Sequence, residues 1–167
     1  MDNGRSDFFA AGLRHYGAAL RAVGEFRESV FRELEDAMRR RQQAPVSSAS
    51  SNTSTRSWSS RVDSPYLGVT AKADDVEPGA SLELGLWWSP PFPCPHGLAV
   101  YAGVHGVPWA KSVTPPERFA GGVHKGGTAY LTLPWVPGGD VAALLDELLG
   151  ALDVECRSRR RPISGSP

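Results

Sequence analysis

A chain of 167 residues whose first quarter carries one continuous apolar stripe at helical spacing has few ways to fold. Phe9, Leu13, Tyr16, Leu20, Val23, Val30, Leu34 and Ala37 follow one another at steps of four and three, with Arg27 at the one polar position of the series. That is the seam of a four-heptad amphipathic helix, which must be covered by something. Phe8, Ala19, Ala22, Phe26 and Phe31 widen it beyond a bare two-stranded seam. No proline interrupts the segment before Pro45, and the spacing predicts one helix over residues 5–43. Glu28 before Arg32, Glu35 before Arg39 and Asp36 before Arg40 stand in the favourable acid-then-base order. Arg39, Arg40 and Arg41 sit where cations complement the helix dipole. Gly12, Gly17 and Gly24 oppose helix formation, so packing must hold the segment in shape.

Residues 44–64 change character. Nine of the twenty residues from Pro45 to Ser64 are serine, and the stretch reads as a flexible linker, with Trp58 marking where the chain rejoins the fold. Residues 65–154 then show a period of two. Leu82, Leu84, Leu86 and Trp88 alternate with Glu83, Gly85 and Trp87. Leu98, Val100, Ala102 and Val104 alternate with Tyr101, Gly103 and His105, and Ala129, Leu131, Leu133 and Trp135 share one face. Tyr66 to Ala73 adds a strand, and Phe119 to His124 adds a short further one. Glu77-Pro78-Gly79 is a turn signal, and proline- and glycine-rich stretches separate the later strands. Asp140 caps a final helix whose stripe is Val141, Leu144, Leu145, Leu148, Leu149 and Leu152, stopping near Val154. Residues 155–167 form a basic tail that is expected to be disordered. The whole is an α+β fold: a long N-terminal helix, an antiparallel sheet of four to five strands and a C-terminal helix packed on the sheet, one domain with the first helix.

The charge balance, 18 basic against 18 acidic residues, gives no reason to expect a nucleic acid or an anionic membrane as partner. The arginine runs 39–41 and 157–161 are too short to alter that reading. No signal peptide or membrane span is expected, and two cysteines that form no paired framework suit a reduced, cytoplasmic protein.

Catalytic patterns are weak. A Gly-x-Ser-x-Gly turn is absent, and the Gly121–Gly127 stretch lacks the spacing of a phosphate loop. Cys94, His96, His105 and His124 carry zinc-ligating groups but match no finger or ribbon spacing. They leave a small metal-dependent hydrolase or transferase as the second reading, with no cofactor in the first. That first reading is a non-enzymatic protein-binding module, meeting another protein or its own copy. Leu13, Tyr16, Leu20, Val23, Arg27, Val30 and Leu34 would dock from the helix, and Trp87, Tyr101 and Tyr130 from an aromatic sheet face. Arg27 would specify register in such a seam. The order of elements resembles that of small α+β helper proteins such as secretion chaperones and immunity proteins, an analogy of architecture alone.

Overall fold

The computed structural model describes residues 3–43, 54–59, 66–88, 97–109, 119, 123–124, 128–136 and 138–159. Its elements run α1 (Asn3–Gln43), β1 (Ser54–Ser59), β2 (Tyr66–Lys72), β3 (Ser81–Trp88), β4 (Leu98–His105), β5 (Val123–His124), β6 (Thr128–Pro134) and α2 (Val141–Arg159). The strands form one antiparallel sheet in the order β1-β2-β3-β4-β6-β5. The fold is α+β, as the order of periodicities predicts.

The period-two pattern decides which face meets the helices. Cross-strand partners Val69–Leu84, Leu84–Ala102 and Ala102–Leu131 set the apolar side chains of four strands in rows. These rows join Val30, Phe31, Leu34, Ala37 and Met38 of α1 and Leu145, Leu148, Leu149, Leu152 and Cys156 of α2 in a single core. Both helices thus lie on the same face of the sheet, α1 over β2 and β3, α2 over β4 and β6. The turn from β2 to β3 closes as Ala80 N–H donates to the Glu77 carbonyl at 2.9 Å, and Gly79 takes the positive φ of 81° that this turn requires. Asp140 caps α2 through a 3.0 Å bond from Ala143 N–H.

Three expectations need correction. The serine-rich segment is not all linker, because Ser54–Ser59 is the edge strand β1. Its polar composition hides a period of two: Arg56 and Trp58 point to α1, while Thr55 and Ser57 share the other face. Arg56 grips Glu35 through two bonds of 2.6 and 3.0 Å and Glu28 through one of 3.0 Å. The Arg56 guanidinium bonded to Glu35 holds that carboxyl below its usual pKa. Tertiary ion pairs, which composition does not reveal, order this strand. Next, α2 continues through Cys156, which the core buries, to Arg159 rather than stopping near Val154. The rest of the basic tail lies outside the described residues.

Finally, the acid–base pairs along α1 are drawn elsewhere. Glu28 and Glu35 turn to Arg56, Asp36 pairs with Arg39, and Arg40 reaches Asp146 of α2 at 2.9 Å. Arg41 is 7% exposed and bridges Asp75 at 2.9 Å and Asp153 at 3.0 Å, tying α1 to the β2–β3 turn and to α2. Burial acts to lower its pKa, but the two carboxylates reverse that and raise it. All three arginines of the run 39–41 therefore engage carboxylates of this chain.

Candidate functional site

Among the described residues, two surfaces stand out beside the core: the second face of the sheet and the N-terminal part of α1.

On the second face, alternation places Tyr66, Gly68, Glu83, Gly85, Trp87, Tyr101, Gly103, His105, Thr128, Tyr130 and Thr132 together. The glycines stand beside the large rings. Gly85 is the cross-strand partner of Tyr101, and Gly103 of Tyr130. A Cβ on Gly85 would lie 2.3 Å from Tyr101 Cζ, and one on Gly103 2.5 Å from the Tyr130 ring. Each tyrosine thus lies flat across its partner strand instead of standing up from the sheet. Trp87 stacks on Tyr101 with centroids 4.5 Å apart, and Tyr130 meets Tyr101 edge-on at 5.6 Å.

Lying flat delivers the Tyr101 hydroxyl to Glu83, to which it donates at 2.8 Å. The other Glu83 oxygen lies 2.7 Å from His105 Nε2, and His105 Nδ1 lies 2.8 Å from the Thr128 hydroxyl. A carboxylate only accepts, so Nε2 carries a proton. In the neutral ring, Nδ1 then accepts from Thr128. The result is a Tyr101–Glu83–His105–Thr128 chain in which each of these polar groups has a partner. A carboxylate, imidazole and hydroxyl in series is also the order of a nucleophile relay. Here, however, Tyr101 occupies the second carboxylate oxygen, and Thr128 is buried. The arrangement reads as a satisfied network that locks the rings in place.

Burial pushes the Tyr101 phenol well above its usual pKa, and the Glu83 carboxylate adds to the shift; Tyr130 is raised by the same two causes. Both phenols stay protonated in the fold yet ionise near the usual value of about 10 once unfolded. Their contribution is complete below that pH and is lost as pH rises above it. Urea denaturation from neutral to alkaline pH should show stability falling above about pH 10, with a shallower fall in Tyr101→Phe. Parallel slopes in the two proteins would refute this account.

The aromatic anchors expected on this face are therefore not equivalent. Tyr101 is 1% exposed and unavailable to a partner, while Trp87 and Tyr130 are half-buried. Of the metal-ligand set, His105 has both ring nitrogens engaged with Glu83 and Thr128, so its lone pair is not free for a metal. His124 pairs with Thr128 in β5, and Cys94 and His96 lie outside the described residues. Among the described residues, no three His, Cys, Asp or Glu side chains are grouped to hold a metal ion.

Along α1 the stripe divides. Val30 and Leu34 are buried in the protein's own core, and so leave the expected docking set. Leu13, Tyr16, Leu20, Val23 and Phe26 are 71, 63, 54, 54 and 43% exposed. Among the described side chains of residues 11–29 none is buried. At 1.5 Å per residue, the helix before Arg27 is about 36 Å long. Arg27 sits at the boundary, its guanidinium 4.0 Å from the Trp58 ring centroid, a cation–π contact to the edge strand. The seam charge is thereby covered by this chain's own tryptophan.

Among the described residues, no close packing requires the glycines of this segment. A Cβ on Gly12 or Gly24 would meet nothing within 4 Å, and one on Gly17 only the tip of Arg21 at 3.9 Å. Each costs about 1 kcal/mol of helix stability relative to alanine.

Compared with known proteins, the chain matches no family model, no curated protein and no solved structure.

Sequence reasoning gave no site role to Glu83, Thr128 or the glycine–tyrosine pairs, and read Trp58 only as the point where the chain rejoins the fold. Gly85 and Gly103 do fall in the period-two pattern on the side of Tyr101, but which residue faces them depends on register, which alternation leaves open. Among the described residues no helix is long and apolar enough to cross a membrane.

Proposed function

We propose that this chain is a non-enzymatic protein-binding module that docks through the free part of α1, with the sheet and α2 as the base that holds the helix. The observation that carries this reading is the exposed row of Leu13, Tyr16, Leu20, Val23 and Phe26 on a helix that continues well past its last buried turn. Contiguous exposed apolar surface on a folded protein is a mark of interaction. Helix-in-groove and helix-on-helix recognition both use anchors spaced in this way. Trp87 and Tyr130 on the sheet are secondary anchors. A cytoplasmic setting suits a chain with only two cysteines in its sequence.

The test is a double charge substitution. Leu13→Glu with Leu20→Glu alters side chains that touch no core residue, so the thermal midpoint should hold within a few degrees. Association with a partner, or with another copy, should weaken at least about 100-fold, because each leucine removed from an interface costs about 1.5–3 kcal/mol. The reading fails if the double variant keeps every association of the wild-type protein.

A further inference from the structure

Resting on that docking reading, we infer that the partner of the exposed stripe is a second copy of this chain, packed antiparallel and in close contact along residues 11–27 of α1.

The area is sufficient. At their exposures the five apolar side chains present on the order of 500 Å² per copy, so two facing copies remove about 1,000 Å² from water through the stripe alone, where specific interfaces begin.

The pattern beside the stripe fits the same shape. In heptad terms Leu13 and Leu20 alternate with Tyr16 and Val23 along the seam. Their flanks are Gly12, Gly17, Ala19, Gly24 and Phe26, none of them charged. Among the described residues, nothing lies within 4 Å of a Cβ built on Gly12 or Gly24, and only the flexible tip of Arg21 reaches one on Gly17. A helix that lies close against them fills that space, and it offsets what they cost in helix propensity.

Direction follows from register. An antiparallel pairing sets Leu13 against Val23 of the second copy, and Tyr16 against Leu20. The same register puts Phe26 opposite Gly12 of the second copy, so the largest flanking side chain meets one of the smallest. Gly17 faces its own counterpart, as does Ala19. A parallel pairing instead brings both Arg27 guanidinia to one level of the seam, a like-charge contact. It also sets the two sheets side by side, since each is attached to the C-terminal part of α1. The antiparallel pair places the sheets at opposite ends and opposes the helix dipoles.

Light scattering on the full chain should show a dimer that dissociates on dilution. Gly17→Leu separates the two effects of a glycine. It should keep or raise the helical circular dichroism, yet raise the dimer dissociation constant at least about tenfold, because the second helix is pushed away. In a Cys94→Ser background, Leu13→Cys and Val23→Cys report direction. Each alone should stay uncross-linked under mild oxidation, and an equal mixture should form a disulfide between the two. Self-cross-linking of Leu13→Cys alone would overturn the antiparallel assignment. A wild-type chain that stays monomeric to about 100 µM overturns the second copy. If that monomer binds a different partner that Leu13→Glu with Leu20→Glu abolishes, only the occupant proposed here is wrong. If no association depends on those leucines, the docking reading falls with it.

Discussion

Arg41→Ala is expected to destabilise the fold by about 3–5 kcal/mol, because it removes the guanidinium that faces one carboxylate in the interior and a second at its edge. Asp75 is 4% exposed, and Arg41 meets it at 2.9 Å. The same guanidinium bonds Asp153 through Nε at 3.1 Å and Nη2 at 3.0 Å. Three elements distant in sequence therefore meet on one side chain. The cost arises from removing the opposite charge beside a buried carboxylate, which is larger than the net worth of the intact pair. Removing both members should consequently be milder than removing one. Arg41→Met with Asp75→Leu is expected to recover most of the loss. Urea denaturation at neutral pH measures both variants. A loss below about 1 kcal/mol for Arg41→Ala would mean that water or backbone groups solvate Asp75 adequately. Against a typical domain stability of about 5–15 kcal/mol, the predicted loss is a large part of the total.

Gly85→Ala should cost about 3 kcal/mol or more and lower the thermal midpoint by about 10 °C or more. The added methyl meets Tyr101 Cζ at 2.3 Å and the Leu67 carbonyl oxygen at 2.4 Å. One neighbour is a ring stacked under Trp87 and bonded to Glu83, and the other is backbone in the β2–β3 ladder. Neither gives way without breaking something else. Gly103→Ala meets mainly the half-buried Tyr130 ring at 2.5 Å, a side chain that can lift, and should cost less. Gly12→Ala meets nothing and should be neutral or stabilising to the monomer. The order Gly85 over Gly103 over Gly12 in thermal unfolding is the discriminating result. Equal losses at Gly85 and Gly12 would show that backbone propensity, rather than the tyrosine lying across the strand, sets the cost.

Much of the architecture was legible because it depends on spacing. Alternation placed Leu84 and Val100 toward the helices and Tyr101 and Glu83 away from them, and both faces are as the pattern has them. The steps of four and three along α1 predict its single helix, and Asp140 before the leucine stripe marks the start of α2. Each of these follows from the geometry of one element meeting apolar surface.

What spacing left open was partnership. Nothing in Ser54–Ser59 announces a strand until Arg56 meets Glu35 and Trp58 meets Arg27. The stripe along α1 looks uniform from Leu13 to Ala37, yet the sheet covers only the part from Val30 onward. His105 reads equally well as a metal ligand or a hydrogen-bonding group until register sets it beside Glu83 and Thr128.

By itself, then, the order of amino acids determined the element types, the two faces of the sheet and the presence of an apolar helix that needs covering. Only the tertiary structure decided which part of that helix is already covered, which charges are buried in pairs and which rings lie over glycine. The physical reason is range. Periodicity acts within one element through its own turn or pleat, whereas burial and ion pairing depend on residues more than a hundred positions apart, as with Arg41 and Asp153.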